Sequence, residues 1–179
     1  MSGMHHMLVH FPLGFWALAT LMIATAALFP GRLAEIARAG LLPVLILGLL
    51  GAVAAIVSGF LVWPWQANLH SPLTRNHILM AFWALGLWGV ITLLIWRGGA
   101  EAFSGARRWA LLFLALLGGL LFAITGTLGG HLAGAPTAFS ALIRLLGWEI
   151  YTTFYAPLWA LGLMLLLAVA LVGLARRRA

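Results

Sequence analysis

The sequence predicts an all-α integral membrane protein with a single domain over residues 1–179, built as a bundle of five transmembrane helices. Its composition is the first reason, because 64% of the residues are hydrophobic and only 7% are charged. Soluble domains are about one-quarter charged, and this chain has almost no polar residues with which to cover a soluble exterior. The second reason is that five apolar stretches reach the roughly 20 residues that a helix needs to cross a bilayer.

The five predicted spans follow one another with short connections, apart from two richer segments on one side of the membrane. The spans cover residues 8–29, 41–63, 77–96, 109–130 and 150–175. The opening MSGMHHM lacks the basic residue of a secretory signal, so the first span is expected to be retained. Before the last span, AFSALIRLLGW is expected to lie as a short interfacial helix. We find no fixed-period repeat.

Arginine predicts the orientation of the bundle. Eight of the ten arginines lie in the first and third connections and the C-terminal tail, whereas Arg75 and Arg144 lie on the opposite side. The positive-inside rule therefore predicts a cytoplasmic C-terminus and an outside N-terminus. The net charge of +7 then comes mainly from arginines on the cytoplasmic side, where they are attracted to the anionic headgroups of the lipid bilayer. We therefore expect no nucleic-acid partner.

Several kinds of chemistry are excluded by residues that the sequence lacks. It has no cysteine, which excludes disulfides, thiolate metal sites, c-type haem attachment and cysteine-held iron–sulfur clusters. It has no aspartate for a Ser-His-Asp arrangement and no glycine-rich loop followed by lysine. A stand-alone enzyme is therefore less expected than a subunit of an oxidoreductase complex.

Histidine is the residue type that points to chemistry. On the predicted topology all six histidines lie on the outer side, at His5, His6, His10, His70, His77 and His131. His6 and His10 are four residues apart and share a helix face, and His77 begins the third span. Ionisable groups at the membrane boundary are costly and tend to be functional. By contrast, we expect His5 and His70 to be solvated surface residues.

Imidazoles from different helices can hold a haem iron inside a bundle, which makes bis-histidine haem b the first hypothesis. The predicted axial pair is His10 and His77, with His6 and His131 as a second pair or as alternatives, for one or two haems. Arg75 and Arg144 are the outward cations that could pair with haem propionates. The protein would be an electron-transfer subunit or anchor at the periplasmic face, exchanging electrons with quinol or with membrane or periplasmic redox subunits.

Two other classes of function remain open. A copper-handling protein would use a mixed thioether and imidazole cluster near the N-terminus, which suits copper. That cluster consists of Met1, Met4, His5, His6, Met7 and His10. A cofactor-free subunit of a larger membrane complex is the third hypothesis, supported by the apolar, small-residue-rich helices.

The opening of the chain resembles a known family. Its Leu-Val-His-Phe-Pro motif is carried by His6, Leu8, Val9, His10, Phe11 and Pro12, and is similar to that of the bacterial membrane proteins grouped as domain of unknown function 2231. His77 at the head of a later helix and the pair Gly129 and Gly130 extend the resemblance over about two-thirds of the chain. Departures are His131 with Leu132, where an aliphatic pair and tyrosine are expected, and the fifth helix. The resemblance implies a helical bundle in the bacterial inner membrane, with suspected haem binding.

Overall fold

A computed structural model describes residues 2–62, 70–145 and 166, and these residues form an all-helical structure. Four helices are long and apolar enough to cross a membrane, and a short helix follows them. We label them α1 (Ser2–Leu28), α2 (Arg32–Val62), α3 (Pro72–Gly98), α4 (Gly105–Leu132) and α5 (Ala138–Leu145). The prediction of an all-helical membrane bundle is confirmed for four spans. The predicted fifth span, 150–175, lies outside the described residues apart from Leu166.

The helices extend beyond the predicted spans at the histidine-bearing end. α1 begins at Ser2 instead of residue 8, so His5 and His6 lie inside the helix. α3 begins at Pro72, after the N-cap Ser71, whose hydroxyl accepts a hydrogen bond from the Thr74 amide at 3.4 Å. An apolar run in the sequence marks only the part of a helix that lies in the hydrocarbon core of the membrane. Helical hydrogen bonding continues beyond it into polar residues, up to a capped helix end.

Short turns fold the four long helices into two antiparallel hairpins. The first hairpin joins α1 to α2 through Gly31, which has a φ of 94°. The second joins α3 to α4 through the 3-10 helix Gly99–Phe103. The φ angle is positive at its first residue, Gly99, and at Gly105, where α4 begins. Glycine adopts this left-handed conformation without a steric penalty, so these residues permit the reversals.

The two hairpins pack side by side, and α1 and α3 lie on opposite corners of the bundle. α1 packs against α2 and α4, and α3 packs against α4 and α2. At the centre, Trp16 and Trp88 stack across the bundle with ring centroids 5.5 Å apart and planes inclined by 10°. Both indoles are buried in the main hydrophobic core. Because the helices alternate in direction, all six histidines lie at the same end of the bundle.

The two hairpins place matching residues at matching contacts and in this sense form an internal repeat, although its separations of 72 and 70 positions are not a fixed period. His77 and Trp88 of α3 each follow His5 and Trp16 of α1 by 72 positions. In α4, Gly118 and Gly129 each follow Gly48 and Gly59 of α2 by 70 positions. The repeat was missed because it preserves a few contact residues and little else. Parallel repeats of this kind are a common plan in membrane proteins.

Candidate cofactor site between the hairpins

A cavity of about 570 Å³ lies between the hairpins at the histidine-bearing end. All four long helices contribute to its lining, together with the segment that follows α4. Most of the lining side chains are apolar, and a few histidines and threonines interrupt them. Cofactor and small-molecule sites have cavities of about 300–1,000 Å³ with this kind of lining. Bundle interiors are also where helical proteins build cofactor sites from facing side chains.

His5 is anchored against the neighbouring helix of its own hairpin. Its Nδ1 lies 3.0 Å from the carbonyl oxygen of Ala55 and 3.0 Å from the hydroxyl of Ser58. A carbonyl oxygen can only accept a hydrogen bond, so Nδ1 carries the proton and Nε2 is the nitrogen with a lone pair for a metal. His5 is 8% exposed, so the expectation of a solvated surface residue was wrong.

Glycine on α2 makes room for this imidazole. A Cβ atom on Gly59 would lie 3.0 Å from His5 Cε1, which is closer than side chains normally pack. The absent side chain lets the ring approach the backbone of α2 closely, one turn beyond the carbonyl that it contacts. Gly59 therefore positions His5 as much as the hydrogen bond does.

The second hairpin holds His77 in the same way. Its Nδ1 donates to the carbonyl oxygen of Thr125 at 3.0 Å, and Nε2 is again the nitrogen that could bind a metal. A Cβ atom on Gly129 would lie 3.0 Å from His77 Cε1. Gly129 stands four residues after Thr125, as Gly59 stands four residues after Ala55. Each hairpin thus presents one imidazole, fixed by one carbonyl and one glycine.

The two anchored imidazoles line the same cavity from opposite hairpins. A hydrogen bond from Nδ1 to a carbonyl is the usual outer-shell support of a metal-binding histidine, because it fixes the tautomer and the ring orientation. Two such imidazoles in an apolar cavity are donors of the type that could hold a haem iron.

The stacked tryptophans lie deeper in the bundle than the histidines, and Trp16 also lines the cavity. The edge of each indole lies against a glycine of its own hairpin. A Cβ atom on Gly48 would lie 2.5 Å from Trp16 Nε1, and one on Gly118 would lie 2.9 Å from Trp88 Cε2. In each hairpin, then, one glycine admits an imidazole and another admits an indole. Of the two indoles, that of Trp16 borders the cavity.

The other residues predicted for a site fall into two groups. His6 and His10 are exposed side chains of α1 that line the cavity, and His10 Nδ1 donates to the carbonyl oxygen of His6 at 2.6 Å. His131 is buried in the last turn of α4, whereas Arg75 and Arg144 are exposed. These last three residues do not belong to the described lining of the cavity.

The mixed methionine and histidine cluster proposed for copper does not converge in the described residues. Met4 is 47% exposed and Met7 is 63% exposed, whereas His5 between them is turned into the bundle. Met1 lies outside the described residues. Within residues 2–62, 70–145 and 166, no group of three or more histidine, cysteine, aspartate or glutamate side chains could hold a metal ion.

Searches of protein-family models, curated proteins and solved structures found no match to this chain. The resemblance of the opening motif therefore stays a prediction. The site residue that the sequence analysis missed is His5, and a signal for it exists. In each hairpin a histidine is followed eleven positions later by a tryptophan, and two glycines with the same separation come after them. The residues are His5, Trp16, Gly48 and Gly59 in the first hairpin, and His77, Trp88, Gly118 and Gly129 in the second.

Proposed function

We propose that this multi-pass membrane protein binds one haem b in the cavity between its hairpins, with the imidazoles of His5 and His77 as the axial ligands. The observation that carries the proposal is the matched support of these two rings by a carbonyl and a glycine. Haem would supply reversible one-electron chemistry, and the protein would supply ligation, orientation and a low dielectric. On this proposal the protein is an electron-transfer subunit or anchor.

The proposed ligand pair differs from the pair His10 and His77 that the sequence predicts. His5 and His77 are equivalent in the internal repeat and have equivalent partners. His10 lacks such a counterpart, since its Nδ1 is held within its own helix and its side chain is exposed. A second haem between His6 and His131 is less supported, because His131 does not belong to the described cavity lining. Variants of His5 and His10 distinguish the two pairings directly.

The side of the membrane and the partners belong to the same proposal. The distribution of arginines supports placing the histidine-bearing end at the periplasmic face of a bacterial inner membrane. At that face the protein would exchange electrons with quinol or with a periplasmic or membrane redox subunit. Accessibility labelling of a single cysteine at position 70 in intact cells tests the orientation, because His70 is exposed at this end.

An absorption spectrum of the purified protein, oxidised and then reduced with dithionite, tests the cofactor. We expect a Soret band, a six-coordinate low-spin spectrum and one haem per chain by pyridine haemochrome. The variants His5→Ala and His77→Ala should lose this spectrum, and His70→Ala is the matched control. Protein without a Soret band would contradict the proposal. A stoichiometric copper content in chelator-washed protein would then favour copper handling, and the absence of both would favour a cofactor-free subunit.

A further inference from the structure

The repeat is close to symmetric at the imidazoles but not along the helix faces beside them. Positions 6 and 10 of α1 are His6 and His10, and the corresponding positions of α3 are Ile78 and Phe82. All four of these side chains line the cavity. Leu13 continues the α1 face, and it lies beside Gly126 of α4. The face that carries His6 and His10 is therefore the one that meets α4.

The crevice between α2 and α3 is apolar. Phe60 of α2 and Phe82 of α3 contact each other across it with ring centroids 6.3 Å apart. Ile78 lies one turn before Phe82 on the same face of α3 and also lines the cavity. This side of the cavity presents hydrocarbon and aromatic surface.

The crevice between α1 and α4 carries the polar groups. The α4 counterpart of Phe60 is Gly130, where a Cβ atom would lie 2.7 Å from the carbonyl oxygen of Ala135. The chain after α4 thus folds back over Gly130 and brings Thr137 to the cavity, where its hydroxyl lies 2.9 Å from that of Thr127. With His6 and His10 opposite, this crevice offers imidazole and hydroxyl groups.

A haem held between the two hairpins would present one edge to each crevice. Its two propionates are carboxylates, which are costly to bury without hydrogen-bond donors or cations, whereas its opposite edge is apolar. The nearly equivalent axial imidazoles do not by themselves distinguish the two ways of inserting the ring. The unequal crevices do.

We propose that the crevice between α1 and α4 receives the propionate edge of the haem, and that His6 and His10 are positioning residues that select one of the two ring orientations. The inference rests on the proposed haem site. It assigns His6 and His10 to the propionates, a role that the sequence analysis gave to Arg75 and Arg144.

The test replaces the histidines of the α1 face with the apolar residue types of α3. In the double variant His6→Ile/His10→Phe, each histidine is replaced by the residue type at the corresponding position of α3. The full-length protein is reconstituted with a synthetic haem whose vinyl and methyl groups are symmetric about the axis that bisects its propionate edge, so that a flip about this axis gives no second species. Proton NMR of the oxidised form then resolves separate paramagnetically shifted methyl signals only for the two placements of the propionate edge. We expect one set of signals in the wild type and two sets of comparable intensity in the double variant. The Soret band per chain should be retained, because His5 and His77 are unchanged.

Two matched variants separate positioning from packing. His6→Gln/His10→Gln keeps hydrogen-bond donors and should keep one set of signals. Phe82→Leu keeps the opposite crevice apolar and should also keep one set. A helical circular dichroism spectrum and a single elution peak establish that each variant is folded.

The possible outcomes are distinct. A wild type without haem contradicts the proposed function, and loss of haem from the folded double variant contradicts its ligand pair His5 and His77. The remaining contrary results concern only this inference. A single set of signals in the folded double variant would overturn it, as would two sets in the wild type. Loss of haem from the folded double variant would identify His6 or His10 as a ligand instead. A second set of methyl signals in Arg75→Gln or Arg144→Gln, but not in the double variant, would show that the arginines and not the histidines pair with the propionates.

Discussion

The first hairpin and the second hairpin agree where they hold a ring and differ where they face the rest of the cavity. Both present a histidine against a carbonyl and a glycine, and both present a tryptophan against a second glycine. Only the first adds a hydroxyl to its histidine, from Ser58, because the corresponding residue of the second is Leu128. If haem binds as proposed, the shared contacts are those that both halves would make to one central ligand, and the differing residues would determine its orientation.

The largest expected effect comes from removing one of the paired imidazoles. His5→Ala or His77→Ala should lower haem affinity by more than about 100-fold, because even outer-shell partners of a ligand are worth about 10–100-fold. Haem titration into the apoprotein, followed at the Soret band, measures this. His10→Ala should change affinity little. Equal losses for His10→Ala and His77→Ala, with His5→Ala unaffected, would restore the pairing predicted from the sequence.

A smaller effect is expected from filling the glycine that admits each imidazole. Gly59→Ala and Gly129→Ala place a methyl group 3.0 Å from the histidine Cε1, so the ring must shift. Overpacking of this kind costs about 1–3 kcal/mol, which corresponds to about 5- to 150-fold in haem affinity. Gly86→Ala and Gly89→Ala are the controls, since no atom lies within 4 Å of a Cβ at either position. If the controls weaken haem binding as much, the glycines act through the helices and not through the imidazoles.

The glycines beside the tryptophans test the structural part of the repeat. Gly48→Ala and Gly118→Ala should each lower the free energy of unfolding by about 1–3 kcal/mol. Gly48→Ala should cost more, because its Cβ would lie 2.5 Å from the indole of Trp16, against 2.9 Å at Trp88. Denaturant unfolding of the apoprotein in detergent measures both, and Gly14→Ala, which meets open space, is the control. The reverse order would show that the distance from the added Cβ to the indole does not determine the cost.

The smallest effect is expected from making the two histidine supports equal. Ser58→Ala removes the hydroxyl from His5 and leaves its bond to the Ala55 carbonyl, which matches the bond of His77 to the Thr125 carbonyl. A neutral hydrogen bond contributes about 1 kcal/mol, so haem affinity should fall by about 5-fold. Ser104→Ala removes a hydroxyl at the opposite end of the bundle and should have no effect on it. No change in the Ser58→Ala titration would mean that the carbonyl alone orients His5.

The sequence was sufficient to predict four of the spans, because a long apolar run and its flanking arginines are local signals. It was not sufficient to rank the histidines. His5 stands among polar residues near the N-terminus, and its burial depends on Gly59, which is more than fifty positions away in the chain. His10 belongs to the recognisable opening motif and is therefore the more visible residue, but α1 turns it away from the direction of His5. Which histidine faces the other hairpin is decided by how α1 packs against α2, and that contact has no local signature.

The division of the ligand pair between the hairpins has a consequence for biogenesis. A chain that has inserted only α1 and α2 holds one anchored imidazole, and the second arrives with α3 and its support on α4. A ligand that binds only the complete bundle stabilises that bundle by mass action. If haem binds as proposed, its capture would favour late in membrane insertion those chains in which α1 to α4 have already assembled.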